Sequence, residues 1–343
     1  MNPPIKWMLA GCQLALTSCI ICTNSQGQEP GNGYLGMSLP STFRLFAPSS
    51  PWNMPIEDNP ALDDHSNRMI QHLNKRALQL HTSTRKWTIP LFVIDSSRCP
   101  RVNVTSTNGP LYHSIDPDKN SIAENIPIPA GVWPDPKSDA HMVLIDPKRQ
   151  RSWDFAGARH HPDGTWTANT VDTWDLCGPG YRQPFQGRHW WRSGAMGAGM
   201  PLAAGLIRPE EIAAGEIRHA LLCATPINRK TSYPTGPLQL CSPPASRSDG
   251  HGIGIMFIPE GARLQLDPEL DLDSLPLSQA SKTVARAMQK YGMFVGMNAK
   301  TFKVFFQNLG PEATPWQKHD HFKDLAHIPL DRFRILKCNL VQR

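Results

Sequence analysis

The sequence predicts a mainly β protein: an antiparallel β-sandwich of the jelly-roll type, with about three short packing helices and long loops. Thirty-three prolines are spread along the 343 residues, among many Gly, Asn and Asp turn signals. Frequent prolines and turn residues are typical of short strands joined by ordered loops. Apolar residues make up 40% of the chain, enough to build a sizeable core.

Three segments have the apolar spacing of an amphipathic helix. The first runs from about Asp64 to Leu80, with Asp63 or Asp64 as its cap. The second opens at Arg208-Pro209-Glu210-Glu211 and stops at Gly215, because proline suits the first turn and acids suit the positive end of a helix. The third extends from Ser278 to Tyr291. We expect all three to pack on the sheets.

The other periodic runs predict strands. They are Thr88–Ile94, Met142–Ile145, Ser152–Ala156, Thr165–Asn169, Ile217–Ala224, Gly254–Ile258, Ala262–Leu266, Phe294–Met297, Lys303–Gln307 and Arg332–Leu340. The second and third flank Pro147–Gln150 and predict a hairpin. Neither a linker nor an internal repeat interrupts the chain, so residues 29–343 are expected to form a single β-rich domain.

The N-terminus predicts a secretory signal peptide over residues 1–28. Lys6 precedes a largely apolar stretch, Trp7 to Cys22, which is too interrupted for a membrane span. Leu16-Thr17-Ser18-Cys19 fits a bacterial lipoprotein cleavage site, and ordinary signal cleavage is the alternative. We therefore expect a secreted protein, extracellular or periplasmic, whose one route to a membrane is a lipid on Cys19.

The charge balance restricts the partners. The formal net charge is +6, and the lysines and arginines form no dense runs. A mildly basic protein suits an anionic polymer, whereas nucleic-acid binding usually needs clustered cations. We therefore expect a polysaccharide partner and no nucleic acid. The sequence leaves the oligomeric state open.

Neither a metal nor an organic cofactor is predicted. His160-His161 and His319-Asp320-His321 have no partner at zinc-like spacing, and no cysteine pair has metal-ligand spacing. The chain also contains no phosphate-binding glycine loop, Gly-x-Ser-x-Gly elbow or His-Glu-x-x-His motif. In an oxidising exterior, one or two disulfides are expected, and Cys223 with Cys241 is the closest pair in sequence.

Asp139 and His141 are the leading catalytic candidates. They precede an apolar strand, and a spacing of two residues places them on the same sheet face. There His141 would act as general base or acid beside a carboxylate, with Asp139 or Asp154 as the second acid–base group. The alternative is a turn leading into a strand, with a half-buried, hydrogen-bonded histidine.

Two further regions offer catalytic groups. His219 lies within an apolar strand and would supply a second imidazole if it faced a cleft; a structural histidine is the alternative. Asp249-Gly250-His251 would bring Asp249 to the same site on a flexible loop, and a simple turn is the alternative. With Asp139, His141 and Asp154, these residues complete the catalytic set.

The segment Arg188-His189-Trp190-Trp191-Arg192 is the predicted substrate platform. Trp190 and Trp191 would stack on sugar rings, while Arg188 and Arg192 would bind uronate or sulfate groups. The alternative is a tryptophan pair that fills the core, with solvated arginines beside it. Tyr181, a few residues earlier, is a candidate proton donor.

Several motifs resemble those of a group of uncharacterised secreted bacterial proteins. They are Ser50-Pro51-Trp52-Asn53, Ser138-Asp139-Ala140-His141, Trp153-Asp154-Phe155, Ala204 to Glu211, Ile217 to Leu221, Ser248-Asp249-Gly250 and Ile258 to Arg263. The similarity spans roughly residues 45–310 and implies export and a single domain, but no activity. The chain departs from the group at Ala140, where glycine is expected, and at its bulky Arg188–Arg192 segment.

These patterns predict a secreted enzyme that cleaves a polysaccharide, preferably an acidic one, by hydrolysis or by elimination. Hydrolysis needs two carboxyls across the bond, from Asp139 with Asp154 or Asp249. Elimination needs a base such as His141 and a cation such as Arg188 or Arg192 on the uronate. One competing prediction is a noncatalytic glycan-binding protein or envelope lipoprotein, and another is a metal-dependent hydrolase.

Overall fold

The computed structural model describes residues 32–106, 112–113, 122–137, 139–182, 194–234 and 240–341. Gly31–Arg343 forms one compact unit. The predicted signal peptide and its Cys19 lie outside the described residues. The strands are β1 (Tyr34–Gly36), β2 (His81–Ser83), β3 (Leu91–Ile94), β4 (Arg101–Thr105), β5 (Tyr112–His113), β6 (Ile122–Pro127), β7 (Met142–Asp146), β8 (Arg151–Ala156), β9 (Arg159–His160), β10 (Trp166–Thr167), β11 (Thr170–Asp175), β12 (Leu221–Pro226), β13 (Arg229–Thr231), β14 (Gly252–Ile253), β15 (Arg263–Leu266), β16 (Met293–Ala299), β17 (Lys303–Phe305) and β18 (Phe333–Ile335).

Three α-helices lie where the sequence predicts them. They are α1 (Ser66–Ala77), α2 (Pro209–Ala214) and α3 (Gln279–Lys290), and a short α4 (Thr314–Gln317) follows. The Ser278 hydroxyl accepts a 3.2 Å hydrogen bond from the Ser281 amide at the start of α3. The predicted aspartate cap of α1, Asp63 or Asp64, is wrong, because the N-cap is His65, the residue after Asp64. Within the described residues, no helix is long and apolar enough to cross a membrane.

The strands form mixed sheets. One six-stranded sheet has the order β1-β3-β7-β8-β11-β5 and the other β18-β15-β16-β12-β17-β2, while β6-β4-β10-β9 form a four-stranded sheet. The mainly β prediction is confirmed, but the expectation of purely antiparallel sheets is wrong. The pairs β3/β7 and β12/β16 are parallel, for example. Parallel neighbours need long crossover connections, which the periodicity of each strand does not reveal.

The hairpin predicted around Pro147–Gln150 is confirmed. Strands β7 and β8 pair antiparallel, with Val143 opposite Asp154. A strand over Gly254–Ile258 is not formed, because that segment is mostly turn. The buried Arg229 guanidinium donates to the carbonyl oxygens of Phe257 (2.7 Å) and Ile255 (2.8 Å), and these oxygens therefore bond to a side chain rather than to a strand.

The core consists of three clusters that follow the sheet faces. One contains side chains of both six-stranded sheets, including Val143 of β7 and Leu222 of β12. A second lies between the other face of the β12 sheet and helices α1 and α3. The third joins the other face of the β7 sheet to the four-stranded sheet. Alternate residues of β7 and β12 are thus buried on opposite faces.

None of the five described cysteines forms a disulfide, so the expected bridges among them are not formed. Cys223 packs in the cluster with α1 and α3, whereas Cys241 packs in the cluster shared by the two six-stranded sheets. The two thiols therefore belong to different layers, and their closeness in sequence does not bring them together.

Candidate functional site: a basic cleft at Asp139 and His141

A cleft of about 670 Å³ opens where β2, β16 and β17 meet the turn before β7. Strand β2 pairs with β17, which sets His81 beside Lys303. The charged side chains that line the described part of the cleft are Lys86, Lys300, Lys303 and Asp139. The imidazoles of His81, His141 and His251 and the rings of Trp87 and Phe305 also line it, together with uncharged polar side chains such as that of Asn298. Its electrostatic character is therefore basic.

Asp139 and His141 both line this cleft, as their spacing predicts. They precede β7 rather than lie in it, and Ala140 between them has a positive φ of 41°. His141 is only 8% exposed. Burial lowers the pKa of His141, the negative charge of Asp139 opposes this shift, and a hydrogen bond to the Ala195 backbone also favours the charged form. The imidazole is therefore neutral near neutral pH and able to accept a proton.

Lys303 supplies a fixed cation to the same cleft. Its Nζ atom donates a 3.3 Å hydrogen bond to the carbonyl oxygen of Trp87 and lies 4.8 Å from the centroid of the Phe305 ring. Burial lowers the pKa of Lys303, whereas the charges of Asp139 and Asp135 raise it. A partly desolvated ammonium interacts strongly with an anion, because water screens it less.

Asp135 holds the two walls of the cleft together. This buried carboxylate accepts hydrogen bonds from the amides of Trp87 (3.3 Å) and Lys137 (3.0 Å) and from Nδ2 of Asn308 (2.9 Å). The Asp135 amide in turn donates a 2.9 Å bond to the carbonyl oxygen of His141. Asp135 therefore ties the loop of Trp87 to the segment of His141 and acts as a positioning residue.

Asp249 reaches the edge of the cleft through Asn298. The Asn298 side chain lines the cleft and donates to the Asp249 carboxylate. Behind it lies Glu260, which is fully buried and accepts a 2.8 Å hydrogen bond from Nδ2 of Asn228. Burial, with the nearby Asp249 charge, raises the pKa of Glu260 well above its usual range. The Glu260 carboxyl accepts a 3.2 Å hydrogen bond from the Asp249 amide and thus supports the Asp249 loop from inside the protein.

Asp154 does not line the cleft. It faces the core between the two six-stranded sheets, is fully buried and accepts a 2.6 Å hydrogen bond from the Leu202 amide. Burial raises the pKa of Asp154 to about 8, and the neighbouring Asp172 charge adds to the increase. Asp172 itself forms a 2.7 Å ion pair with Arg182. The structure therefore separates Asp154 from Asp139 and His141, although it lies on the predicted hairpin.

His219 belongs to a different cluster. Its Nε2 atom lies 3.0 Å from Oε1 of Glu211, which also receives a 2.6 Å hydrogen bond from Arg208. Burial raises the pKa of Glu211, but His219 and Arg208 outweigh this and lower it to about 2. The cluster joins the start of α2 to the chain before β12, and His219 is not among the described residues that line the cleft of His141.

The predicted substrate platform is described only in part. Arg188, Trp190, Trp191 and Arg192 lie outside the described residues. Tyr181 is half-buried and is not among the described residues that line the cleft. Within the described part of the chain, no group of three or more His, Cys, Asp or Glu side chains could hold a metal ion.

No family model, curated protein or solved structure matches this chain. The predicted resemblance to secreted bacterial proteins thus stays a prediction. The geometry of the cleft, together with the sequence, carries the functional argument.

The sequence reasoning missed Lys303, Trp87 and Glu260. Lys303 begins a predicted apolar strand and lies two positions before Phe305, on the same face of that strand. A charged residue on an apolar strand was the signal that could have identified it. Trp87 precedes a predicted strand, but Lys303, which donates to its carbonyl oxygen, lies more than two hundred positions later in the chain. Nothing local in Ile258-Pro259-Glu260-Gly261 indicates that its carboxyl is buried.

Proposed function

We propose that this protein is a secreted enzyme that cleaves an acidic polysaccharide by β-elimination at a uronate. The observation that carries the proposal is the neutral, buried imidazole of His141 beside the cation of Lys303 in one cleft. Lys86 and Lys300 add positive charge around them, and Asp139 is the single carboxylate lining the described part of the cleft. An anionic sugar chain complements this charge distribution.

The chemistry assigns one role to each group. The Lys303 ammonium pairs with the uronate carboxylate and stabilises the negative charge that develops when the adjacent carbon loses its proton. His141 takes that proton, and the electron pair forms the carbon–carbon double bond as the glycosidic oxygen leaves. The imidazolium returns the proton to that oxygen. Asp139 stabilises the transient imidazolium by its negative charge.

Hydrolysis is the less suitable reaction for this cleft. It uses two carboxyls on either side of the scissile bond. Asp154 is buried in the core, and Asp249 touches the edge of the cleft only through Asn298. The described lining therefore offers one carboxyl, a base and several cations, a set that suits elimination better.

The proposal includes the predicted architecture and location. We infer that the two six-stranded sheets stack as a sandwich, since one core cluster contains side chains of both. The signal peptide predicted over residues 1–28 supports export, with the lipid on Cys19 as the alternative attachment to the envelope.

A panel of neutral, uronate-containing and sulfated polysaccharides tests the proposal. The purified protein is incubated with each polymer while new reducing ends and the ultraviolet absorbance of unsaturated uronates are followed together. Both signals on a uronate polymer are expected. Reducing ends without the absorbance would indicate hydrolysis. Binding without either signal would indicate the alternative, a noncatalytic glycan-binding protein.

A further inference from the structure

A second cavity adjoins the cleft and has its own aromatic and cationic lining. It measures about 690 Å³ and is lined by Arg85, Lys86, Trp133, Asn308 and three prolines. Lys86 lines both this cavity and the cleft of His141, so the two spaces share a wall. The groove therefore continues past the proposed reaction centre.

The side chains of this second cavity are held in place by the protein. The Trp133 ring packs edge-on against Phe92, with ring centroids 5.4 Å apart. A Cβ added to Gly310 would lie 2.9 Å from the Trp133 ring, so only glycine lets the chain come this close. Nδ2 of Asn308 donates a 2.9 Å hydrogen bond to the carbonyl oxygen of Arg85. The indole and the Arg85 loop thus form a pre-organised surface.

The charges of the second cavity match those of the first. Arg85 and Lys86 are exposed, and no ion pair to another described residue neutralises either side chain. Arg85 also borders a third cavity of about 410 Å³, which contains Lys323 and His321. Cations thus also line the two spaces that adjoin the cleft of His141.

We propose that the Trp133 cavity is an additional subsite, which binds a sugar unit of an acidic polysaccharide next to the unit held at His141. The Trp133 ring packs against the apolar face of the sugar, while Arg85 and Lys86 bind its carboxylate. The inference rests on the acidic-glycan ligand proposed for the cleft. It predicts an enzyme that prefers polymers and long oligosaccharides over short ones.

Binding of oligouronates of defined length, measured by titration calorimetry on the full protein, tests this subsite. Affinity is expected to increase from the disaccharide to longer chains. Trp133→Ala should lower the affinity for long chains by about tenfold, the size of an aromatic contact in a binding site, and leave the disaccharide unaffected. Arg85→Gln should act in the same direction. Tyr233→Ala and Lys75→Ala are matched controls at exposed positions outside the groove.

The outcomes separate this inference from the proposed reaction. Affinity that is independent of length, or unaffected by both Trp133→Ala and Arg85→Gln, would overturn the subsite even if the protein cleaves polysaccharide. Length-dependent binding that both variants weaken would support it even if no cleavage occurs. Trp133→Phe retains a ring and should keep most of the affinity, which distinguishes a lost contact from a lost fold.

Discussion

The Nζ atom of Lys303 donates a 3.3 Å hydrogen bond to the carbonyl oxygen of Trp87, and this bond joins β17 to the loop that follows β2. The contact places a fixed ammonium next to an exposed aromatic ring on one wall of the cleft. Because Asp135 ties the same loop to His141, the base, the cation and the ring are held as one unit.

The cation of Lys303 is expected to stabilise the transition state. Lys303→Ala should lower kcat by about 10²- to 10³-fold, since the developing charge on the uronate loses its partner. Lys303→Arg keeps the positive charge and should retain much more activity. Lys300→Ala, at an exposed position of the same cleft, is the control and should raise KM while changing kcat little. Equal loss of kcat in all three variants would contradict the assigned role.

The pH profile of activity should report the ionisation of both His141 and Lys303. Activity needs neutral His141 and protonated Lys303, so it should rise through a pKa below 6.5 and fall through a pKa below 10.5. The charge of Asp139 raises both pKa values, and Asp139→Asn should therefore move both limbs to lower pH. Asp58→Asn, on the exposed surface, should move neither. An acid limb that shifts upward in Asp139→Asn would refute the coupling.

Asp154 is expected to influence stability rather than turnover. The pKa of Asp154 in the folded protein is about 8, above its ordinary value of 3.8. Asp154 therefore contributes fully to the free energy of unfolding below pH 3.8, and this contribution is lost as the pH rises from there through the folded pKa. Asp154→Asn, which mimics the protonated acid, should remove this loss. Urea unfolding of both proteins at pH values below and above the folded pKa measures it. A large drop in kcat of Asp154→Asn at a pH where both proteins are folded and His141 is neutral would instead support the predicted catalytic role.

Ala140 occupies a backbone conformation that favours glycine. The φ of Ala140 is 41°, and a residue with a Cβ in this left-handed region costs about 1–2 kcal/mol. Glycine avoids that cost but loses more conformational freedom on folding, which offsets about 0.5–1 kcal/mol of the gain. Ala140→Gly should therefore raise the free energy of unfolding by about 0.5–1 kcal/mol. The same substitution at exposed Ala214 in α2 should lower it by about 1 kcal/mol. Denaturant titrations that give both changes the same sign would contradict this.

The sequence predicted the parts of the fold and site that local patterns encode. The three helices have regular apolar spacing, and Asp139 and His141 are two positions apart, so their proximity needs no distant contact. The parallel pairing of β17 with β2 joins segments more than two hundred positions apart, and no local pattern reveals it. The sequence also could not predict which face of the sheet carries Asp154, because that depends on the exact register of β8 against β7.

The most direct test of the proposed mechanism is the rate at which His141→Gln forms unsaturated product from a uronate polysaccharide, measured beside its affinity for the same polymer. We expect kcat to fall by about 10²- to 10⁴-fold, the usual contribution of a general base, while affinity changes little. His160→Gln, at the exposed strand β9, should behave like the unmodified protein. A His141→Gln protein that folds and retains full turnover would contradict the proposal that His141 is the base.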